Sequence, residues 1–157
     1  MIGEGIMNES QLEMSVMELF GQEGYEYIKG EGLFRESSDV LLQDDLKAYL
    51  LSRYSADGMT ETEAESIILS LVRSSHDPLY DANREMLHKI TEGVIFRRED
   101  KTKKDLFIRL IDCENIENNI FKVVNQFEVQ GMECLRIPDA IVFINGLPLV
   151  VIEFKSA

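Results

Sequence analysis

The pattern of apolar and polar positions divides the chain into a first part with helical spacing and a second part with alternating spacing. Apolar residues after Ser10 recur at helical spacing and predict a helix over 10–22. Ser10 and Glu13 have the spacing of a capping box, in which two residues exchange hydrogen bonds at the start of a helix. A second apolar stripe predicts a helix over about 40–53.

Two further helices are predicted before Gly93. Thr60 and Glu63 repeat the capping-box spacing ahead of one apolar stripe, and another stripe predicts a helix over about 79–91. The segment "YEYIKG", which begins at Tyr25, favours a short strand. The first half of the chain is therefore predicted to be mainly helical.

From Gly93 the apolar period changes to two. The segments "GVIFRR" and "DLFIRLI", joined by the charged turn "EDKTKK", predict a β-hairpin, and three more strands are predicted over about 120–130, 139–144 and 147–155. The last two strands are apolar on both faces, as in a sheet that is covered by helices on both sides. We expect one α+β domain over 1–157, with a central mixed or antiparallel sheet and a chain truncated after its last strand.

The charge of the chain is unevenly distributed. The net charge is -13, but residues 1–92 carry 7 Lys+Arg against 19 Asp+Glu, whereas residues 93–157 carry 9 against 10. Excess negative charge disfavours a nucleic-acid partner, and here that objection applies to one half only. No apolar run approaches the roughly 20 residues that a membrane-spanning helix needs, and the N-terminus lacks the features of a signal peptide. We expect a cytoplasmic protein with no membrane partner.

Three charged residues interrupt the apolar segment "RIPDAIVFINGLPLVVIEFK". Asp139 stands at the entrance to one predicted strand, and Glu153 and Lys155 stand at the end of the next. Burial of an unpaired carboxylate costs on the order of several kcal/mol, so such groups are normally paired or bind a metal ion. Because side chains alternate along a strand, Glu153 and Lys155 share one face.

Asp139 joins that face only with a particular hairpin register. A strict two-residue turn at Asn145-Gly146 would place Asp139 opposite Ile152, on the wrong side of the sheet. A shift of one residue sets Asp139 across from Glu153. The sequence therefore predicts an odd-length loop or a β-bulge in this hairpin.

Two converging carboxylates suit Mg²⁺, which prefers hard oxygen ligands and retains several waters, and Mn²⁺ can take its place. Lys155 could hold a water molecule and offset the local negative charge, so the three residues have the parts needed to hydrolyse a phosphodiester. The alternative is structural. In that case Glu153 and Lys155 form an ion pair at a strand end, and Asp139 caps a turn after Pro138.

The C-terminal segment "NNIFKVVNQFEVQGMECLRIPDAIVFINGLPLVVIEFKSA" closely resembles the N-terminal nuclease domain of the R (restriction) subunit of type I restriction-modification enzymes. In that family an N-Q-F-like segment leads to P-D, then N-G-L-P, then E-x-K, and this chain has all of them in order. Weaker similarity extends back through "ESQLEMSVMELFGQEGYEYIKG" and covers most of the chain. The resemblance implies the PD-(D/E)xK nuclease fold.

The resemblance also assigns roles to residues. It implies that Asp139 and Glu153 are metal ligands, that Lys155 is the catalytic lysine, and that the Phe154 backbone carbonyl contributes to the metal site. The family has an acidic residue on its first helix, and Glu13 occupies that place, with the capping box as the structural alternative. The Q-x-x-x-Y motif of the family and the Walker motif of its ATP-driven motor are absent from this chain, as in a fragment.

Two hypotheses about function follow from the resemblance. The first is an Mg²⁺-dependent endonuclease domain that cleaves double-stranded DNA, in a subunit that uses ATP and assembles with methyltransferase and specificity subunits. The second is a noncatalytic docking or regulatory domain on the same fold, with Asp139, Glu153 and Lys155 as a structural ion cluster. Basic residues around the predicted hairpin are candidates for phosphate contact, against the alternative of a solvated edge: Arg97, Arg98, Lys101, Lys103 and Lys104.

Overall fold

The computed structural model of the chain describes residues 8–73, 78–131 and 134–155. These residues form four α-helices: α1 (Glu9–Gln22), α2 (Gln43–Arg53), α3 (Glu61–Arg73) and α4 (Leu79–Glu92). They also form eight strands: β1 (Glu26–Lys29), β2 (Val94–Phe96), β3 (Leu106–Ile108), β4 (Phe121–Asn125), β5 (Val129–Gln130), β6 (Leu135–Arg136), β7 (Ala140–Ile144) and β8 (Leu147–Ile152). The predicted α+β class is confirmed.

The helix starts test the two predicted capping boxes. Thr60 and Glu63 exchange hydrogen bonds of 2.9 and 3.3 Å before α3, as predicted. The box predicted at Ser10 is wrong, because α1 is capped two residues earlier by Asn8, which exchanges hydrogen bonds with Gln11. Ser10 therefore lies inside the first turn, where its position gives it no capping role.

The largest sheet has the strand order β1-β4-β7-β8. Strand β1 is parallel to β4, whereas β4 with β7 and β7 with β8 are antiparallel, so the sheet is mixed, as predicted. The predicted hairpin of β2 and β3 is also confirmed, but it forms a two-stranded sheet of its own. Strands β5 and β6 form a third small sheet.

The chain forms two compact units, and the prediction of a single domain stays a prediction. The first unit combines Met1–Val40 with Phe121–Ala157 and contains α1 and the mixed sheet. Its core includes Met17 of α1, which packs against Val123, Ala140 and Val142 on one face of the sheet. A helix on a sheet face is a stable way to bury both apolar surfaces.

The second unit, Leu41–Ile120, contains α2, α3, α4 and the β2-β3 hairpin. Its core includes aliphatic side chains of α2 and α3 that are at most 4% exposed: Leu46, Leu50, Ile67, Ile68 and Leu71. Tyr49 is also buried, and its hydroxyl donates to the Arg109 carbonyl at 3.0 Å. Burial raises the pKa of Tyr49, so this hydroxyl stays protonated and able to donate.

Candidate active site

The hairpin of β7 and β8 turns at Asn145-Gly146. Both residues have positive φ, 50° and 77°, as a type I′ two-residue turn requires. Ile144 pairs with Leu147 directly across this turn. The odd-length loop, one of the two predicted alternatives, is therefore excluded.

The second alternative, a β-bulge, is confirmed. Phe143 pairs with Pro148 but Val142 pairs with Val150, so Leu149 is an extra residue on β8. The register then continues to the pair of Ala140 and Ile152. Extended by one position, this register would set Asp139 across from Glu153, the juxtaposition that a plain hairpin would have prevented.

The protein backbone fixes Asp139 from two sides. Its carboxylate oxygen Oδ2 accepts the N–H of Phe154 at 2.7 Å, and its carbonyl accepts the N–H of Gln126 at 3.0 Å. The first bond joins the Asp139 carboxylate to the backbone of the residue that follows Glu153, at the end of β8. Asp139 is half-buried, which limits its side-chain freedom further.

Glu153 and Lys155 are exposed, and the expectation that a covered strand buries them is wrong. Strand β8 is an edge strand of the sheet in the part of the chain described, and Val151 beside Glu153 is 61% exposed. Ile152 and Phe154 both pack toward the α1 cluster, so the alternation continues past the strand end. Glu153 and Lys155 consequently point away from α1.

The two charges of this strand end do not form an ion pair with each other. Among the residues described, Lys155 has no ion pair with Glu153 or Asp139 within 4.0 Å. The alternative hypothesis, a structural ion pair between Glu153 and Lys155, is therefore not supported by a contact between these two side chains. A lysine that has no carboxylate partner in the described part of the chain remains able to bind a further group.

Glu13 of α1 contacts the sheet but is not gathered with the other two carboxylates. Its Oε1 accepts a hydrogen bond of 2.9 Å from Asn125 Nδ2, at the end of β4. This contact replaces the capping-box bond that was the alternative role for Glu13. Within residues 8–73, 78–131 and 134–155, no three His, Cys, Asp or Glu side chains come together as a metal site.

Asn125 and Gln126 are the site residues that sequence reasoning missed. Asn125 holds Glu13 through its side chain, and Gln126 holds the Asp139 carbonyl through its backbone N–H. Both belong to the N-Q-F segment, which is one of the motifs that carry the resemblance to the family. The available signal was two amide side chains at the end of the apolar strand "FKVV".

The predicted phosphate-contacting residues are not equivalent. The Arg98 side chain is 3% exposed, bonds both Glu63 oxygens at 2.8 and 3.0 Å, and donates to the carbonyls of Asp57 and Gly58. These contacts leave Arg98 no access to a phosphate. The prediction that Arg98 contacts a phosphate is therefore wrong, and its role is structural. Three of the others are exposed and stay predictions: Arg97, Lys103 and Lys104. Lys101 is exposed too, and its Nζ donates to the Arg98 carbonyl.

No helix in the described part of the chain is long and apolar enough to cross a membrane.

Comparisons with known proteins support the resemblance found in the sequence. The family model described as "Type I restriction enzyme R protein N terminus" matches residues 6–157. The type I restriction enzyme HindI endonuclease subunit of Haemophilus influenzae is 30% identical over 96% of this chain, which covers 15% of that subunit. A putative type I restriction enzyme MjaVIIIP endonuclease subunit of Methanocaldococcus jannaschii is 30% identical over 85% of the chain and 12% of that protein.

A shorter match has a higher sequence identity. The putative MjaIXP endonuclease subunit of Methanocaldococcus jannaschii is 50% identical over 62 residues, which are 38% of this chain and 6% of that protein. The chain thus spans only a small part of the length of the relatives it matches. A family model that matches nearly the whole chain nevertheless settles its membership: the chain belongs to the family of type I restriction enzyme R protein N-terminal regions.

Proposed function

We propose that this chain is an Mg²⁺-dependent endonuclease domain of the PD-(D/E)xK type, which cleaves DNA phosphodiesters within an ATP-dependent type I restriction enzyme. The relatives are named as endonuclease subunits of such enzymes. In the complete subunit, ATP would drive the motor, and methyltransferase and specificity subunits would be the partners on double-stranded DNA in the cytoplasm. Exposed Arg97, Lys103 and Lys104 are candidates for contacts with its phosphates.

One observation carries the proposal. The bulge at Leu149 sets Asp139 across from Glu153, and the Phe154 N–H bonds the Asp139 carboxylate at 2.7 Å. A plain hairpin would have kept the two carboxylates on opposite faces. Bulges are frequent beside active sites, because they redirect one side chain without a change in the rest of the strand.

The donor set fits Mg²⁺ or Mn²⁺. Asp139 and Glu153 offer hard carboxylate oxygens, and Mg²⁺ is commonly held by one or two carboxylates together with phosphates of the substrate. The Phe154 carbonyl is a further oxygen at the same place. A bound ion would neutralise charge on the phosphate and make a water molecule more acidic.

Lys155 acts beside this donor set. It shares a face with Glu153, and its ammonium group has no carboxylate partner among the residues described. A free ammonium group can donate to a phosphate oxygen and orient the attacking water molecule. Asp139, fixed by two backbone hydrogen bonds, would hold its position while the substrate binds.

A metal titration of the chain tests the proposal directly. Mn²⁺ binding, followed by electron paramagnetic resonance, should be at least roughly tenfold weaker in Asp139→Asn and Glu153→Gln, because each variant replaces one anionic ligand by a neutral group of the same shape. Glu92→Gln is the matched control, since Glu92 is an exposed carboxylate on α4 of the second unit.

Equal Mn²⁺ affinity in all three variants and the unaltered chain would contradict the proposal. That result would favour the noncatalytic docking or regulatory domain. Circular dichroism spectra of the variants show whether any loss of affinity comes from a loss of fold.

A further inference from the structure

The end of strand β1 packs against the backbone that holds Asp139. Gly30 directly follows β1, and Gln126 directly follows β4, the parallel neighbour of β1. Lys29 and Asn125 are the last residues that pair between these two strands. Gln126 donates its backbone N–H to the Asp139 carbonyl at 3.0 Å. Gly30 is therefore linked to Asp139 through a single intervening residue.

Position 30 has no room for a side chain. A Cβ atom on Gly30 would lie 2.8 Å from the carbonyl oxygen of Asn125, and it would come still closer to the carbonyl oxygen of Gln126. Real Cβ atoms essentially never come within 3.0 Å of another atom, and both oxygens belong to the backbone, which cannot turn away as the end of a side chain can. A larger residue at position 30 would therefore displace the backbone of Asn125 and Gln126.

The peptide unit that would be displaced carries the donor to Asp139. The carbonyl group of Asn125 and the N–H of Gln126 belong to one planar peptide unit, so neither group moves without the other. A shift of the Asn125 oxygen would therefore shift the N–H that the Asp139 carbonyl accepts. Asn125 also pairs with Ala140, the residue after Asp139, so the same shift would reach Asp139 through the strand pairing as well.

The backbone of Gln126 has little freedom to adjust. Its φ of 50° is uncommon for a residue other than glycine, and such conformations persist only where the surrounding structure enforces them. The next residue, Phe127, is fully buried, packs against Phe143 with ring centroids 5.2 Å apart, and lies 3.5 Å beneath the Arg35 guanidinium. Because Gln126 is held on this side, a push from position 30 would pass to its hydrogen bond with Asp139.

We propose that Gly30 is a positioning residue of the candidate active site. Its lack of a side chain lets the Gln126 peptide unit hold Asp139 where the carboxylate can bind a divalent ion. Groups that orient a metal ligand commonly change the metal affinity by about tenfold or more when they are altered. The inference rests on the proposed nuclease function for the role of Asp139, whereas the coupling of Gly30 to Asp139 rests on the backbone contacts alone.

Nuclear magnetic resonance of the ¹⁵N-labelled chain, without a divalent ion, tests the coupling. In Gly30→Ala the backbone signal of Phe154 should shift, because its N–H bonds the Asp139 carboxylate. The signal of Val142, in the middle of β7, should stay in place. A Phe154 signal that does not move would overturn the inference. Shifts of equal size throughout the sheet would show a general rearrangement and would overturn it too.

Two variants of the same unit are the controls. Gly32→Ala changes the other end of the short 3₁₀ helix Gly30–Gly32, where an added Cβ atom would have no heavy atom within 4 Å in the part of the chain described. Asn8→Ala removes the cap of α1 and so controls for a general loss of stability. Both variants should leave the Phe154 signal in place, and a shift in Asn8→Ala as large as in Gly30→Ala would contradict the inference.

Mn²⁺ binding, followed by electron paramagnetic resonance, gives a second readout. Gly30→Ala should weaken it roughly tenfold, whereas Gly32→Ala and Asn8→Ala should leave it unchanged. Unchanged affinity in Gly30→Ala, with normal binding by the unaltered chain, would overturn this inference and leave the metal proposal intact. Absence of Mn²⁺ binding by the unaltered chain would instead contradict the metal proposal, and with it the role of Gly30 at the site.

A double variant serves if Gly30→Ala alone does not fold. Glycine adopts a φ of 50° readily, so Gln126→Gly offsets part of the destabilisation while it keeps the carbonyl oxygen that the new Cβ atom meets. Gly30→Ala combined with Gln126→Gly should shift the Phe154 signal and weaken Mn²⁺ binding relative to Gln126→Gly alone. Equal signals and equal affinities in these two chains would overturn the inference.

Discussion

The two compact units differ in what their charged side chains contact. In the second unit, Arg98 is 3% exposed, and its guanidinium bonds the Glu63 carboxylate and the backbone carbonyls of Asp57 and Gly58. Asp112, also 3% exposed, accepts the backbone N–H groups of Glu114 and Asn115 and pairs with Arg53 at 2.9 Å. These charges hold loops and helices in place.

In the first unit, the charged residues at the start of β7 and after the end of β8 are not neutralised in this way. Glu153 and Lys155 are exposed and lack an ion pair among the residues described. Asp139 is fixed by backbone groups rather than neutralised by a cation. Removal of one partner of a buried ion pair destabilises the fold, whereas a charge that the fold positions without a partner is available to a ligand. The difference predicts which substitutions affect stability and which affect activity.

The largest expected effect is on DNA cleavage. Lys155→Ala in the reconstituted complex with ATP should reduce the cleavage rate by roughly a hundredfold or more, because it removes a donor aimed at the reacting phosphate. Lys47→Ala is the matched control, since the Lys47 ammonium is paired with Glu61 and Glu65 of the second unit. A fully active Lys155→Ala complex would contradict the conclusion that the charged residues after β8 serve activity.

The next effect is on stability. Arg98→Ala should lower the melting temperature of the chain by roughly 10 °C or more, because it leaves the Glu63 carboxylate and the carbonyls of Asp57 and Gly58 without their donor. Arg97→Ala, at the exposed neighbouring position, should leave the melting temperature nearly unchanged. Equal melting temperatures of the two variants in differential scanning calorimetry would contradict the structural role of Arg98.

Acid should weaken the second unit through the same carboxylates. Hydrogen bonds from Arg98 lower the pKa of Glu63 from 4.5 to about 2, and those from Asn115 and Asn118 lower the pKa of Asp112 from 3.8 to about 2. Both pKa values are lower in the folded state, so the stabilisation is complete above about pH 4.5 and is lost as the pH falls toward 2. The urea concentration at the midpoint of unfolding should fall as the pH is lowered from 5 to 2. The fall should be less steep in Glu63→Gln than in the unaltered chain.

The smallest expected effect concerns the start of α1. Asn8→Ala should lower the free energy of unfolding by about 1 kcal/mol, because it removes the side chain that caps the helix. Ser10→Ala should change this free energy by much less, because Ser10 lies within the first turn. Urea denaturation of the two variants compares the two candidate caps, and a larger loss in Ser10→Ala would restore the cap that the sequence suggested.

The sequence was sufficient for the elements but not for every contact within them. The change from helical to alternating spacing near Gly93 predicts the helices and most strands, because each period reflects burial of one face. The cap of α1 was missed because Asn8 with Gln11 and Ser10 with Glu13 both have capping-box spacing. Local sequence does not decide between two such boxes that overlap.

The candidate site was only partly predictable, because the sequence again allowed two local structures. Asp139 can face Glu153 in two kinds of hairpin, one with an odd-length loop and one with a β-bulge. Only the backbone geometry of Asn145-Gly146 shows that the hairpin has the bulge. The apolar sequence of β8 suggested a covered strand, but composition does not show whether a neighbouring strand is present. Likewise, the sequence showed the charge of Arg98 but not its partner, which lies 35 residues away.

The bulge at Leu149 makes loop length and strand length interchangeable. A third residue in the Asn145-Gly146 turn, combined with deletion of Leu149, would keep thirteen residues between Asp139 and Glu153 and keep the two opposite each other. A three-residue loop followed by a regular strand gives the same register as the two-residue turn followed by the bulge. Hairpins in which an insertion and a deletion compensate would therefore keep both carboxylates together, although an alignment would score them as two gaps.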